Sequence, residues 1–194
     1  MKGLEDSMFR LFMLIQLGLL LVGLVWMSLA GYSAIQSPHP LRDIVAFLLL
    51  FSGLIGLELL FSRLFPSSFR ASEALHGQLG AVMRSQGISH HQALLLALAS
   101  GVGEEVFFRG ALQNALFGGW LGVLLQAMVF TALHPVPDRR AWAYPLFIFC
   151  GGLMFGTAYL LTGSLIPGIL AHYLHNARGF YQLLEQQGEQ GRRA

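Results

Sequence analysis

The sequence predicts an all-α fold, a polytopic transmembrane helical bundle of about six spans with one interfacial amphipathic helix. Three observations predict it. Hydrophobic residues make up 55% of the 194 and charged residues only 11%, with a mean hydropathy of +0.60, outside the composition of a soluble domain. Apolar stretches recur near residues 8–31, 44–64, 92–117, 119–134, 142–161 and 165–184; at about 1.5 Å per residue most of them cross or nearly cross a hydrocarbon core of about 30 Å. Finally, with six spans the basic residues sort to one side. Lys2 and Arg10, then Arg63, Arg70 and Arg84, then Arg139 and Arg140, then Arg192 and Arg193 share a face, and Arg42 alone marks the other. By the positive-inside rule both termini are cytoplasmic.

Taken in order, the first stretch, "LFMLIQLGLLLVGLVWMSLA", follows Lys2 and Arg10 and exceeds the roughly 7–15 residues of a signal-peptide apolar region. It is expected to be a retained helix. "PHP" at 38–40 and "HPVP" at 134–137 end or start helices. Residues 66–91 form the longest polar stretch, with Ala71, Leu75, Leu79 and Val82 at helical spacing; it reads as a cytoplasmic interfacial helix connecting two spans. Gly152 with Gly156, and Gly118 with Gly122, are expected to be close helix contacts. The tail "EQQGEQGRRA" reads as frayed and solvated. No internal repeat is visible, and one integral membrane domain is expected across 1–194. Cys150 is the only cysteine, so it reads as a small buried hydrophobe. A net charge of +2 without a basic stripe excludes nucleic acid as a partner.

Against this background "GVGEEVFFRG", residues 101–110, stands out. Each mid-bilayer charge costs about 2.5–3.5 kcal/mol on insertion scales, so Glu104, Glu105 and Arg109 facing lipid would cost on the order of 8–10 kcal/mol. They are expected to face the protein interior or water. Glu105 and Arg109 lie at i,i+4 with the acid first, the favourable order for an ion pair. Glu104 sits about 100° around the helix and lacks such a partner. Glu105 is therefore read as ionised and structural, and Glu104 as free to handle a water or a proton. Gly101, Gly103 and Gly110 permit close packing or helix distortion, and Phe107 and Phe108 keep the surroundings apolar. Later stretches bring His134 in "VFTALHP", with Phe130 one turn earlier, and His172 with Asn176 at i,i+4 in "AHYLHNA". Carboxylate, imidazole and amide from three helices are the groups hydrolysis needs to activate water and hold an oxyanion.

"EEVFFR", "FTALH" and "HYLHN" have the forms Glu-Glu-x-x-x-Arg, Phe-x-x-x-His and His-x-x-x-Asn in that order. Over about residues 90–180 this resembles the CPBP family, also called the Abi or CAAX-protease family, glutamic intramembrane endopeptidases that include the type II CAAX prenyl endopeptidases. The resemblance implies that Glu104 is the general base assisted by His134, that Glu105 and Arg109 support it, and that His172 and Asn176 form the oxyanion hole. It implies a protein or peptide substrate with a membrane-embedded or lipid-modified tail, no cofactor, and a place in the lipid bilayer, here read as a bacterial inner membrane. The first two spans lie outside the resemblance and read only as membrane helices. His175 reads as a packing histidine.

Two other classes remain at this stage. A zinc peptidase would use Glu104, His134 and His172 as ligands with an open position for water, although no H-E-x-x-H is present and each ligand comes from a different helix. A non-catalytic scaffold or small transporter would use the Glu-Glu-Arg cluster to lock helices or relay protons.

Overall fold

A computed structural model describes residues 7–33 and 39–185. Lys2, Pro38, Arg192, Arg193 and most of the C-terminal tail lie outside the described residues. Within them the chain is helical, in the order α1 (Ser7–Ala30), α2 (Pro40–Leu64), α3 (Pro66–Ser85), α4 (His90–Glu104), a π-helical segment (Glu105–Leu112), a closing α turn (Gln113–Ala115), α5 (Gly119–Ala132), a 3-10 turn (Arg139–Ala141), α6 (Ala143–Thr162) and α7 (Ile166–Glu185).

Burial runs opposite to that of a water-soluble bundle. On α1, Gln16, Gly23 and Met27 point inward, while Leu11, Leu14, Leu21 and Leu29 are more than half exposed. Glu104, Glu105, Arg109 and His172 are buried. Polar inside and leucine outside is what a hydrocarbon solvent demands, since lipid replaces the apolar surroundings that a soluble core must supply itself. Three helices, Met8–Ala30, Pro40–Leu64 and Ala143–Thr162, are long and apolar enough to cross a membrane. This is an integral membrane protein. The other helices miss that standard for visible reasons: α5 has 14 residues, about 21 Å of rise, and α4 with the π segment and α7 carry the polar groups of the site.

Helix α4 packs along α7 and α1, and α5 pairs with α6. Its start is fixed by a capping box, in which the Ser89 hydroxyl accepts from Gln92 N–H and the Gln92 side chain accepts from Ser89 N–H. A sharp reversal separates the closing turn from α5, with Phe117, Gly118 and Gly119 all at positive φ. Gly118, expected as a helix contact, is thus a turn residue with open space about its missing side chain. Gly152 and Gly156 do make the expected contacts, against Ala127 and against the amides of Gln126 and Gln113.

Helix α3 forms where the polar stretch predicts a helix, but its buried stripe is Ser68, Ser72, Gly80 and Met83, and Val82 is 46% exposed. The small residues win the inner face because they let the helix press close. Ser68 Oγ accepts from Ala143 N–H at 2.9 Å, and a side chain at position 80 would collide with Leu183. Cys150 is half-buried beside the Phe61–Phe147 cluster, and His175 packs against Phe147 with ring centroids 6.5 Å apart.

Candidate active site

The site is assembled where α4 gives way to the π segment. Glu104 is the last residue of α4 and Glu105 the first of the eight-residue π stretch. π-helical inserts are rare and frequently sit at functional sites. Gly101 and Gly103 let the neighbours close in: a side chain at 101 would meet the backbone of Tyr173 on α7 at 3.0 Å, and one at 103 the Gln16 carbonyl on α1 at 2.5 Å.

The two carboxylates have different surroundings. Glu105 Oε1 accepts from Arg109 Nη1 at 2.8 Å and pairs with His172 Nδ1 at 3.1 Å. Arg109 is fully buried, and its guanidinium lies 4.8 Å from the ring centroids of both Phe130 and Phe155. Its Nε and Nη2 have no hydrogen-bond partner among the described residues, so the electron-rich faces of two rings take the place of further acceptors. Gly168 of α7 abuts the pair, since a Cβ there would stand 2.6 Å from Glu105 Oε2. The predicted pair is present, and α5, α6 and α7 enclose it.

Glu104 has no such counter-charge in contact. Its Oε1 accepts from Gln16 Nε2 at 3.0 Å. Its Oε2 is buried without a hydrogen-bond partner among the described residues, 3.6 Å from His172 Nε2 and 4.0 Å from His134 Nε2. One carboxylate oxygen thus faces two imidazole nitrogens at distances too long for direct hydrogen bonds.

The tautomers follow from the other ring nitrogens. His134 Nδ1 lies 2.7 Å from the Phe130 carbonyl oxygen; a carbonyl only accepts, so Nδ1 carries the proton and a neutral His134 turns a lone pair at Nε2 toward Glu104. Phe130 also stacks on His134, with centroids 4.4 Å apart. The Phe-x-x-x-His spacing therefore fixes the imidazole twice, by ring contact and by backbone. His172 bridges the glutamates and donates from Nδ1 to Glu105. Its Nε2 carries a proton only when the ring is an imidazolium. Asn176 Nδ2 donates to Ser100 Oγ of α4 at 2.7 Å, tying α7 to α4 one turn from His172. His134 is 35% exposed, whereas Glu104 and His172 are nearly enclosed, so the constellation opens at His134.

The structure thus brings Glu104, Glu105, Arg109, His134 and His172 into one cluster and sets Asn176 beside it on Ser100. Sequence reasoning missed Gln16, Ser100, Phe155 and Gly168. Gln16 and Ser100 had a signal, a lone polar residue inside an apolar run; Phe155 and Gly168 had none. Phe108 is buried against Phe130, with ring centroids 4.9 Å apart, and Phe107 lies outward against Trp26. Among the described residues no group of three or more His, Cys, Asp or Glu side chains is arranged to hold a metal ion.

No curated protein and no solved structure matches the chain. A family model does: residues 88–178 match the family described as type II CAAX prenyl endopeptidase Rce1-like. The matched stretch runs from just before α4 through most of α7 and contains every residue of the three motifs. Across residues 88–178, the stretch that holds all three motifs, this membrane protein is therefore similar to the Rce1-like type II CAAX prenyl endopeptidases.

Proposed function

We propose that the protein is a glutamic intramembrane endopeptidase that hydrolyses a peptide bond near the C-terminal tail or membrane segment of a protein substrate. The observation that carries this reading is Glu104 Oε2, a buried lone-pair oxygen without a hydrogen-bond partner among the described residues, facing His134 Nε2 and His172 Nε2. Glu105 is neutralised by Arg109, which leaves Glu104 to act as the base. In the first step a water O–H bond breaks, its proton passes to Glu104 Oε2, and the oxygen attacks the peptide carbonyl carbon. The carbonyl π electrons move to the oxygen as an oxyanion. His172, donating from Nε2 as an imidazolium, and the second N–H of the Asn176 amide are its proposed donors. His134, with its free Nε2, assists the proton transfer. Collapse of the oxyanion breaks the C–N bond, and the proton held at the Glu104–His134 pair goes to the leaving amine.

The substrate proposed is a membrane-embedded or lipid-modified tail. Six spans are proposed to cross a bacterial inner membrane with both termini cytoplasmic, which would turn the His134 mouth toward the cytoplasmic side. No cofactor is invoked; the competing zinc reading would recruit Glu104, His134 and His172. The test is cleavage by purified protein in liposomes of a panel of tail peptides, prenylated and unmodified, before and after exhaustive chelation. Cleavage in the tail that persists after chelation is expected. Loss of activity on chelation with recovery on zinc would replace the glutamic mechanism by the metal one, and a panel left intact would favour the scaffold or transporter reading.

A further inference from the structure

Among the described residues three glutamines are fully or nearly buried, Gln16, Gln113 and Gln126. Two of them bind backbone: Gln113 Nε2 donates to the Gly156 carbonyl at 3.0 Å, and Gln126 Nε2 donates to Val123 and Gly152 carbonyls at 3.1 and 2.8 Å. That is the ordinary use of an amide in a membrane helix, holding neighbours together. Gln16 differs. Its Nε2 donates to Glu104 Oε1, and its Oε1 has no donor, so the carboxylate is its only hydrogen-bond partner among the described residues. A carboxylate only accepts, which orients the amide with nitrogen inward.

We infer that Gln16, on a helix outside the family-matched segment, is a positioning residue that fixes Glu104 for its work as base. This rests on the hydrolytic reading above. By occupying Oε1 the amide decides which oxygen remains for water, and it holds Oε2 toward the two imidazoles. A neutral donor achieves this without neutralising the carboxylate, as an arginine would. The arrangement needs α1 very close to α4, and Gly103 supplies the room: any Cβ at 103 would stand 2.5 Å from the Gln16 carbonyl oxygen and 3.3 Å from its side-chain oxygen.

The charged and titratable groups around Glu104 are Glu105 and Arg109 from the π segment, His134 after α5 and His172 from α7; α1 contributes only the amide. Gln16→Leu and Gln16→Glu are therefore informative together. Gln16→Leu removes the donor at every pH and is expected to lower kcat about 10- to 100-fold with KM within about twofold, the loss that a loosened reacting group produces. Gln16→Glu donates only while the carboxyl pair at 16 and 104 retains a proton. Its activity relative to wild type is expected to be highest at the acid end of the profile and to fall as pH rises until it meets Gln16→Leu. A structural role alone would leave both variants with the wild-type pH profile, scaled down. Gln16→Leu with kcat within twofold of wild type, or Gln16→Glu tracking Gln16→Leu at every pH, would overturn the inference. Glu104→Gln, run alongside, separates the failures: if it is inactive while Gln16→Leu is normal, only the role of Gln16 is lost, and if it is active, the hydrolytic reading itself fails.

Discussion

Gly168→Ala puts one methyl group where the structure has least room for it. The new Cβ would stand 2.6 Å from Glu105 Oε2 and 3.1 Å from Glu105 Cδ, against an ordinary contact of about 3.4 Å or more, so the carboxylate or α7 must yield by roughly 0.8 Å. Glu105 has no exit, being 1% exposed and held at Oε1 by Arg109 and His172 at 2.8 and 3.1 Å. The displacement therefore passes to His172 and from there to Glu104 Oε2. Overpacking costs about 1–3 kcal/mol, and alanine returns up to about 1 kcal/mol of helix propensity, so a net stability loss of roughly 0–2 kcal/mol is expected. A misplacement near 1 Å costs about 10²-fold in rate. Activity should thus fall far more than stability. Cleavage of a tail peptide in liposomes, read by mass spectrometry beside thermal unfolding, measures both; Gly56→Ala, where a methyl group meets nothing within 4 Å, is the control. A Gly168→Ala variant with activity within twofold of Gly56→Ala would refute the coupling of Glu105 to the reacting groups.

Two further predictions concern charge. Arg109→Met leaves the buried Glu105 carboxylate without its cation and should cost about 3–5 kcal/mol in denaturation, most of it recovered when Glu105→Gln is added, because the penalty belongs to the unpaired charge. His76 of α3, 3.2 Å from the Tyr144 hydroxyl, has its pKa lowered from 6.5 by burial, which outweighs the opposing charge of Glu73. A histidine buried neutral contributes stability that is fully present above the ordinary imidazole value and is lost as pH falls below it toward the lowered folded value. The melting temperature should drop on acidification below about pH 6.5, and His76→Gln should flatten that dependence.

Features carried by spacing within one helix were legible in the sequence. The Glu105–Arg109 pair follows from i,i+4 geometry, and the different surroundings of the two glutamates from the absence of such a partner for Glu104. The glycines at 101, 103 and 110 announced close approach without saying to what. Residues that act across helices were hidden. An isolated glutamine in an apolar span looks the same whether it binds a backbone carbonyl, as Gln113 and Gln126 do, or a carboxylate, as Gln16 does. The π-helical segment, which packs mainly against α1, has no sequence pattern of its own. On α3 the apolar residues at helical spacing announced an amphipathic helix, and Leu75 and Leu79 are half-buried, but the closest contacts fall to Ser68, Ser72 and Gly80, whose small size carries no hydrophobic signal.

The central claim is that Glu104 takes the proton of the attacking water, and Glu104→Gln tests it most directly. The substitution keeps size and the Oε1 acceptor for Gln16 while removing the basic oxygen. Wild-type and variant protein, matched for folding by melting temperature, would be compared for single-turnover cleavage of a tail peptide in liposomes. Loss of at least about 10³-fold in rate is expected, within the range general-base catalysis supplies, with peptide binding retained; cleavage by the folded variant within tenfold of wild type would contradict the role of Glu104 as base.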